Sequence, residues 1–211
     1  MTGEAAHSAG EDLACIRGER LLFEHLSFAL GPGEALMLTG ANGSGKTSFL
    51  RLVAGLLRPA AGRILWRGRA IGDDIEAYHS AVHFAGHLDA VKPVLTVAEN
   101  VGFWSRLRAG DGAQVPTALA HFGLAALAEM PARFLSAGQR RRVGLARLLA
   151  APAALWLLDE PTVSLDSGAV AALETAIADH RRQGGLVIAA THAALALPDA
   201  QTLAFGTDVS P

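Results

Sequence analysis

Three short apolar runs and two stretches of helical period organise this chain. The segment EALMLTGANGSGKTSFLRLVAG, residues 34–55, opens as an apolar run ending at Thr39 and breaks at a glycine-rich turn. It resumes with apolar positions at Phe49, Leu50, Val53 and, just beyond, Leu56, so the pattern predicts strand, loop, helix. A second run, residues 154–158 in AALWLLDEP, contains no polar position, as expected of a central parallel strand covered on both faces; it ends in Asp159 and Glu160. A third, residues 186–190 in GGLVIAATHAAL, delivers Thr191 and His192 at the same edge. Behind Ser136, a natural helix N-cap, the apolar positions Val143, Ala146, Leu148 and Leu149 continue a helix. No internal repeat or low-complexity linker interrupts this order, and the expected class is a layered α/β fold.

Composition changes the picture in five respects. At 211 residues the chain fits one domain, or a domain with a subdomain, and can bury a core. With 18 Lys+Arg against 20 Asp+Glu it carries no global basic field, so no nucleic-acid partner is expected. Cys15 is the single cysteine, and the opening MTGEAAHSAGED has acids where a signal peptide needs an apolar core, which points to a reducing, cytoplasmic setting. The longest uncharged run, residues 183–198, is shorter than the roughly 18 apolar residues that cross a bilayer. Yet 51% of the residues are hydrophobic and only 18% charged, which leaves apolar surface for a partner to cover.

The candidate chemistry gathers at the strand ends. Gly40, Ala41, Asn42 and Gly43, followed by Ser44, Gly45, Lys46 and Thr47, have the spacing of a phosphate-binding loop. Its glycines let backbone N–H groups curl around a phosphate, and the helix behind adds its positive end; Ser48 follows in the first turn. Only Lys46 and Lys92 among the basic residues are lysines, and Lys46 is placed to reach the outer phosphates as a compact charge. The Thr47 hydroxyl is a magnesium ligand, Asp159 would hold the ion through water, and Glu160 would polarise the water that attacks the γ-phosphate. His192 alone would read as structural; its place beside these groups gives it a role. In RFLSAGQRRRVGLARLL, residues 133–149, Arg140, Arg141 and Arg142 could mark a nucleic-acid patch, a solvated helix start or part of a phosphate site. The Ser136 cap and the N–H groups of the helix start favour a second anion site.

Taken in order, these residues resemble the ATP-binding subunits of ABC transporters over nearly the whole chain. LSAGQ, comprising Leu135, Ser136, Ala137, Gly138 and Gln139, matches the family's signature; Asp159 and Glu160 match its Walker B pair. Ser164, Leu165 and Asp166 match the D-loop, and His192 the switch histidine. The resemblance implies an ATPase using ATP and Mg2+, with catalytic Glu160, His192 and Lys46. It implies a mostly parallel sheet core, about residues 11–90 and 151–205, with an N-terminal antiparallel β part and a helical lobe over about 91–150. It also implies that the signature closes on ATP held by a second protomer, a homodimer docked on membrane-spanning subunits, and that the arginine cluster braces the signature helix.

Two positions depart from the common family pattern. His87 replaces the glutamine that follows the strand after the P-loop helix, in HFAGHLDAVKPVLTVAENV. That segment, with Lys92, Leu95, Thr96, Glu99 and Asn100, together with LSAGQ and WLLDEP, resembles the haem exporter ATP-binding proteins of cytochrome c biogenesis. A peripheral subunit on the cytoplasmic face of a bacterial inner membrane, driving haem export or release of a haem-loaded chaperone, is implied. Another ABC exporter, or a soluble ABC ATPase acting on nucleic acid, stands as the alternative. Arg17 occupies the position where many relatives stack an aromatic ring on adenine; a guanidinium plane can stack on a purine, and GTP use stays open.

Overall fold

The computed structural model describes residues 7–108, 110–193 and 195–206. The first six residues, half of the opening stretch read above, lie outside them. In chain order the strands are β1 (Ser8–Arg17), β2 (Arg20–Leu30), β3 (Ala35–Gly40), β4 (Ala61–Trp66), β5 (Arg69–Ala70), β6 (Val82–Ala85), β7 (Leu155–Asp159), β8 (Leu186–Ala190) and β9 (Gln201–Phe205). The helices are α1 (Lys46–Val53), α2 (Ile75–Ala81), α3 (Val97–Leu107), α4 (Val115–His121), α5 (Ala137–Ala150) and α6 (Ser167–Arg182). An antiparallel sheet runs β2-β1-β4-β5, and a parallel sheet runs β6-β7-β8-β3-β9. The fold is thus α/β with a parallel core sheet and an N-terminal antiparallel part, as expected.

Strand periodicity explains how the parallel sheet serves two cores at once. Every residue of β7 and β8 is buried, yet successive side chains face opposite ways. Leu155, Leu157, Leu186 and Ile188 join one cluster with Phe49 and Leu50 of α1 and Leu13 and Leu30 of the antiparallel sheet. Trp156, Leu158, Val187 and Ala189 join the other, beneath Val97 and Val101 of α3, Leu119 of α4 and Leu145 and Leu148 of α5. Because all five strands of this sheet are parallel, the C-terminal ends of β3, β6, β7 and β8 open on one edge, with Asp159 paired to Ala190.

The helices begin where the sequence supplies caps. Thr96 and Glu99 form a reciprocal capping box at α3, Ser136 and Gln139 do so at α5, and the Asp166 carboxylate accepts the Ala169 N–H at α6. Arg181 and Arg182 in the last turn of α6 complement its negative end. Helix α1 ends at Val53, earlier than the apolar period implied, because Gly55 at φ 71° takes the left-handed conformation that stops helices; Leu56 is exposed beyond it. The strand expected at 154–158 sits one residue later, at Leu155–Asp159, and the run at 186–190 is β8 itself. Among the described residues, no helix is long and apolar enough to cross a membrane.

Candidate active site

The turn between β3 and α1 is built on glycines for two separate reasons. A Cβ at Gly40 would lie 2.4 Å from the Phe205 carbonyl oxygen, so β9 leaves no space there. Gly45 caps α1 at φ 114°, a backbone setting that disfavours any side chain, and no side chain caps the first-turn N–H groups. Lys46, almost fully buried, folds back over the loop: Nζ donates to the Gly40 and Ala41 carbonyls at 2.7 and 2.9 Å and to His192 Nε2 at 3.1 Å. Three donors thus have three acceptors, the carbonyls being neutral ones that an anionic phosphate oxygen outcompetes. A cleft of about 220 Å³ opens beside it, lined by Asn42, Gly43 and Ser48 on the loop side and Asp159, Glu160 and His192 on the sheet side. Leu22 of β2 also lines it.

Thr47 and Asp159 present hard oxygen donors together. The hydroxyl of Thr47 lies 3.1 and 3.0 Å from the two carboxylate oxygens of Asp159. Burial pushes the Asp159 carboxyl above its ordinary pKa; the Thr47 hydrogen bond opposes this, the negative charge of Glu160 adds to it, and His87 and Arg51 oppose it from nearby. A buried acid with raised pKa beside a hydroxyl and open to a cleft fits a divalent cation, which would hold it ionised.

The next residue turns the chain. Glu160 has φ 49°, a left-handed setting that costs a residue with a Cβ about 1–2 kcal/mol. Its N–H donates to the Ala190 carbonyl at 2.8 Å, and its Oε2 accepts the His192 N–H at 3.3 Å. His192 Nε2 lies 3.7 Å from Glu160 Oε1. Since an ammonium can only donate, the Lys46 contact makes Nε2 an acceptor and puts the ring proton of a neutral His192 on Nδ1. Lys46, His192 and Glu160 therefore stand in one line of contacts across the cleft.

The signature lies away from that cleft. None of Leu135, Ser136, Ala137, Gly138 or Gln139 lines it. Ser136 Oγ accepts the Gln139 N–H at 3.2 Å and Gln139 Oε1 accepts the Ser136 N–H at 2.8 Å, so two helix-start donors are already engaged. What the turn offers an anion is the N–H of Ala137 and of Gly138, plus the hydroxyl proton of Ser136, which the box leaves unused. A Cβ at Gly138 would lie 2.7 Å from the Ser164 carbonyl oxygen; Ser164 itself is left-handed at φ 65°. The D-loop residues thus pack on the signature helix of their own chain, with Leu165 turned on the Thr162 carbonyl and Asp166 capping α6.

The three arginines divide as helix geometry requires. Arg140 is exposed, Arg142 donates to the Phe122 carbonyl at 3.1 Å, and Arg141 is buried against the ends of β6 and β7. Position gave the signal: Arg141 precedes Leu145 and Leu148 by four and seven residues and shares their apolar face. No local pattern in the sequence marks His83 or Arg147. Arg147 stacks on Trp104 at 4.6 Å and donates to the Phe84 carbonyl, which joins α3 and α5 to β6.

Residues 23–163 match the ABC transporter family. The CcmA protein of Rhodospirillum rubrum, a cytochrome c biogenesis ATP-binding export protein, is 57% identical over 196 residues, 93% of this chain and 84% of the relative. The CcmA protein of Paramagnetospirillum magneticum is 53% identical, covering 92% of each chain. The chain belongs to the ABC transporter family, within its CcmA group. Solved ABC folds agree: a Pyrococcus furiosus ABC transporter ATP-binding protein superposes with TM-score 0.82 at 22% identity over 94% of this chain and 96% of that one. An ABC transporter ATP-binding subunit gives 0.78 at 23% identity over 88% and 79%.

Two ABC positions sit at the margin of the cleft. His87, exposed beyond the end of β6, is outside the lining but within electrostatic reach of Asp159. Arg17 is exposed at the end of β1, paired in register with Arg20, and the lining from this hairpin comes from Leu22 instead.

Proposed function

We propose that this ABC subunit hydrolyses MgATP and couples the turnover to a membrane-bound partner in cytochrome c biogenesis. The observation that carries the reading is the convergence of Lys46, the Thr47–Asp159 pair and the Glu160–His192 pair on one cleft at the parallel sheet's edge. Lys46 exchanges its carbonyl acceptors for phosphate oxygens. Thr47 directly, and Asp159 through water, would hold Mg2+, whose charge neutralises that developing on the phosphates. Glu160 orients the attacking water and takes its proton, while His192 meets Lys46 through its ring and Glu160 through its backbone N–H. The CcmA relatives at 57% and 53% identity, named as cytochrome c biogenesis export proteins, support the export role. The cargo proposed for it is haem or a haem-loaded chaperone. The working unit is a homodimer on membrane-spanning subunits at the cytoplasmic face of the inner membrane, each LSAGQ turn closing on the ATP of the other protomer.

Calorimetric MgATP binding and phosphate release, measured on two variants, test the roles. Lys46→Ala is expected to weaken MgATP binding and abolish turnover, because it removes the charge clamp. Glu160→Gln is expected to bind within about threefold of the parent and to lower kcat by about 100-fold or more. Equal loss of affinity in both would overturn the division of roles. Recovery of the tagged chain with ribosomes or DNA instead of membranes would overturn the export reading.

A further inference from the structure

The left-handed turn at Glu160 needs something to hold it, and one side chain meets it from outside the strand. In an extended strand successive carbonyls alternate sides. At the end of β7 the turn brings the carbonyls of Asp159, Glu160 and Pro161 round to one point, the guanidinium of Arg141 on α5. Its NH2 donates to the Asp159 and Glu160 carbonyls at 3.2 and 2.7 Å, and its Nε to the Pro161 carbonyl at 3.2 Å. The remaining nitrogen donates to the Gly86 carbonyl at 2.8 Å and to Asp89 Oδ1 at 3.1 Å. A guanidinium has five N–H donors, and here each has an acceptor. Only 6% of this side chain is exposed, so its charge is carried inside by one carboxylate and four carbonyl dipoles.

We propose that Arg141 is the positioning residue for Glu160: it holds the catalytic turn and fixes it to the 86–89 loop that carries His87. The inference rests on the reading of Glu160 given above. A residue that merely braced the signature helix would bond within the lobe, as Arg142 does to Phe122; all five acceptors of Arg141 lie off α5 and at the cleft's rim. Lysine, with three donors on one atom, keeps the charge but cannot span the three turn carbonyls and the loop together. The side chain touches no reacting atom; it acts through the setting of Glu160.

The test is a cycle on the full chain, with MgATP as the probe. Arg141→Lys is expected to bind MgATP within about threefold of the parent, with KM similarly preserved, while kcat falls about 10- to 100-fold, the scale of a misplaced catalytic group. In a Glu160→Gln background, where residual turnover is followed by radiolabelled phosphate release, the same substitution is expected to change the rate by less than about twofold, because the group it positions is gone. Asp89→Asn, which loosens the loop end of the fork without emptying the turn, is expected to lower kcat about threefold and also to be silent in the Glu160→Gln chain. If Arg141→Lys does not give a folded chain, this second variant decides alone. Equal fold-losses in both backgrounds, or a parent kcat in the single variant, would overturn the positioning role and leave the Glu160 assignment standing. A Glu160→Gln chain that turns over at the parent rate would overturn both.

Discussion

His83 illustrates how burial fixes a charge state that the amino-acid type leaves free. Its side chain is 2% exposed on β6, with Nε2 2.7 Å from the Ala151 carbonyl; the carbonyl can only accept, so Nε2 carries a proton. Burial above all, and the nearby Arg108 charge after it, lower its pKa from 6.5 to about 3. The unfolded chain therefore binds a proton that the folded chain refuses between those two values, and stability falls as the pH drops through that window. Between pH 7 and pH 5 this one group should remove about 2 kcal/mol. His83→Gln, which keeps a donor for the carbonyl and does not titrate, is expected to flatten that part of the profile in urea melts run at both pH values. An unchanged slope would mean that other groups set the acid response. Nothing in the pattern around His83 separates it from an exposed histidine, since the strand it sits on is four residues long and its cover comes from the far end of α5.

At the scale of elements, the sequence was most legible where one segment carried its own reason to fold. The glycine-rich turn, the buried runs of β7 and β8 and the Ser136 cap are local signals, and the structure has each within a residue of its expected place. The carboxylates of Asp159 and Glu160 and the imidazole of His192 were legible as a group because parallel strands must end on one edge. What the sequence withheld depends on contacts between distant segments: the carbonyls that Arg141 reaches, the Arg147–Trp104 stack, and the contact of Gly138 with the D-loop. That last contact yields an element-scale expectation. Helix α5 tolerates alanine by propensity, but a Cβ 2.7 Å from the Ser164 backbone oxygen must displace either the D-loop or the start of α5. Gly138→Ala is expected to keep MgATP affinity and to lower turnover at least about tenfold, the misplacement scale for a contacting group. Parent kinetics in this variant would show that the two elements move apart without consequence.

For the whole molecule, the arrangement leaves each half of the proposed phosphate chemistry incomplete. The cleft beside Lys46 is open and has no signature residue in its wall, while the Ser136 turn presents the N–H groups of Ala137 and Gly138 with no phosphate site of its own chain among its contacts. Two copies placed head to tail would complete both. Ser136→Arg should therefore bind MgATP as the parent does when monomeric, yet turn over poorly, since the bulky cation fills the face offered to the other copy. Mixing it with Lys46→Ala distinguishes the arrangements. A mixed pair joins the intact loop of the Ser136→Arg copy to the intact signature of the Lys46→Ala copy, and joins the two damaged halves in its other site. Random pairing makes half of the dimers mixed, each with one intact site of two, so about one quarter of the parent rate is expected to appear where neither variant alone has activity. If both halves worked within one chain, the mixture would stay at the sum of its two inactive parts, and a strictly monomeric parent would hydrolyse ATP at the full rate.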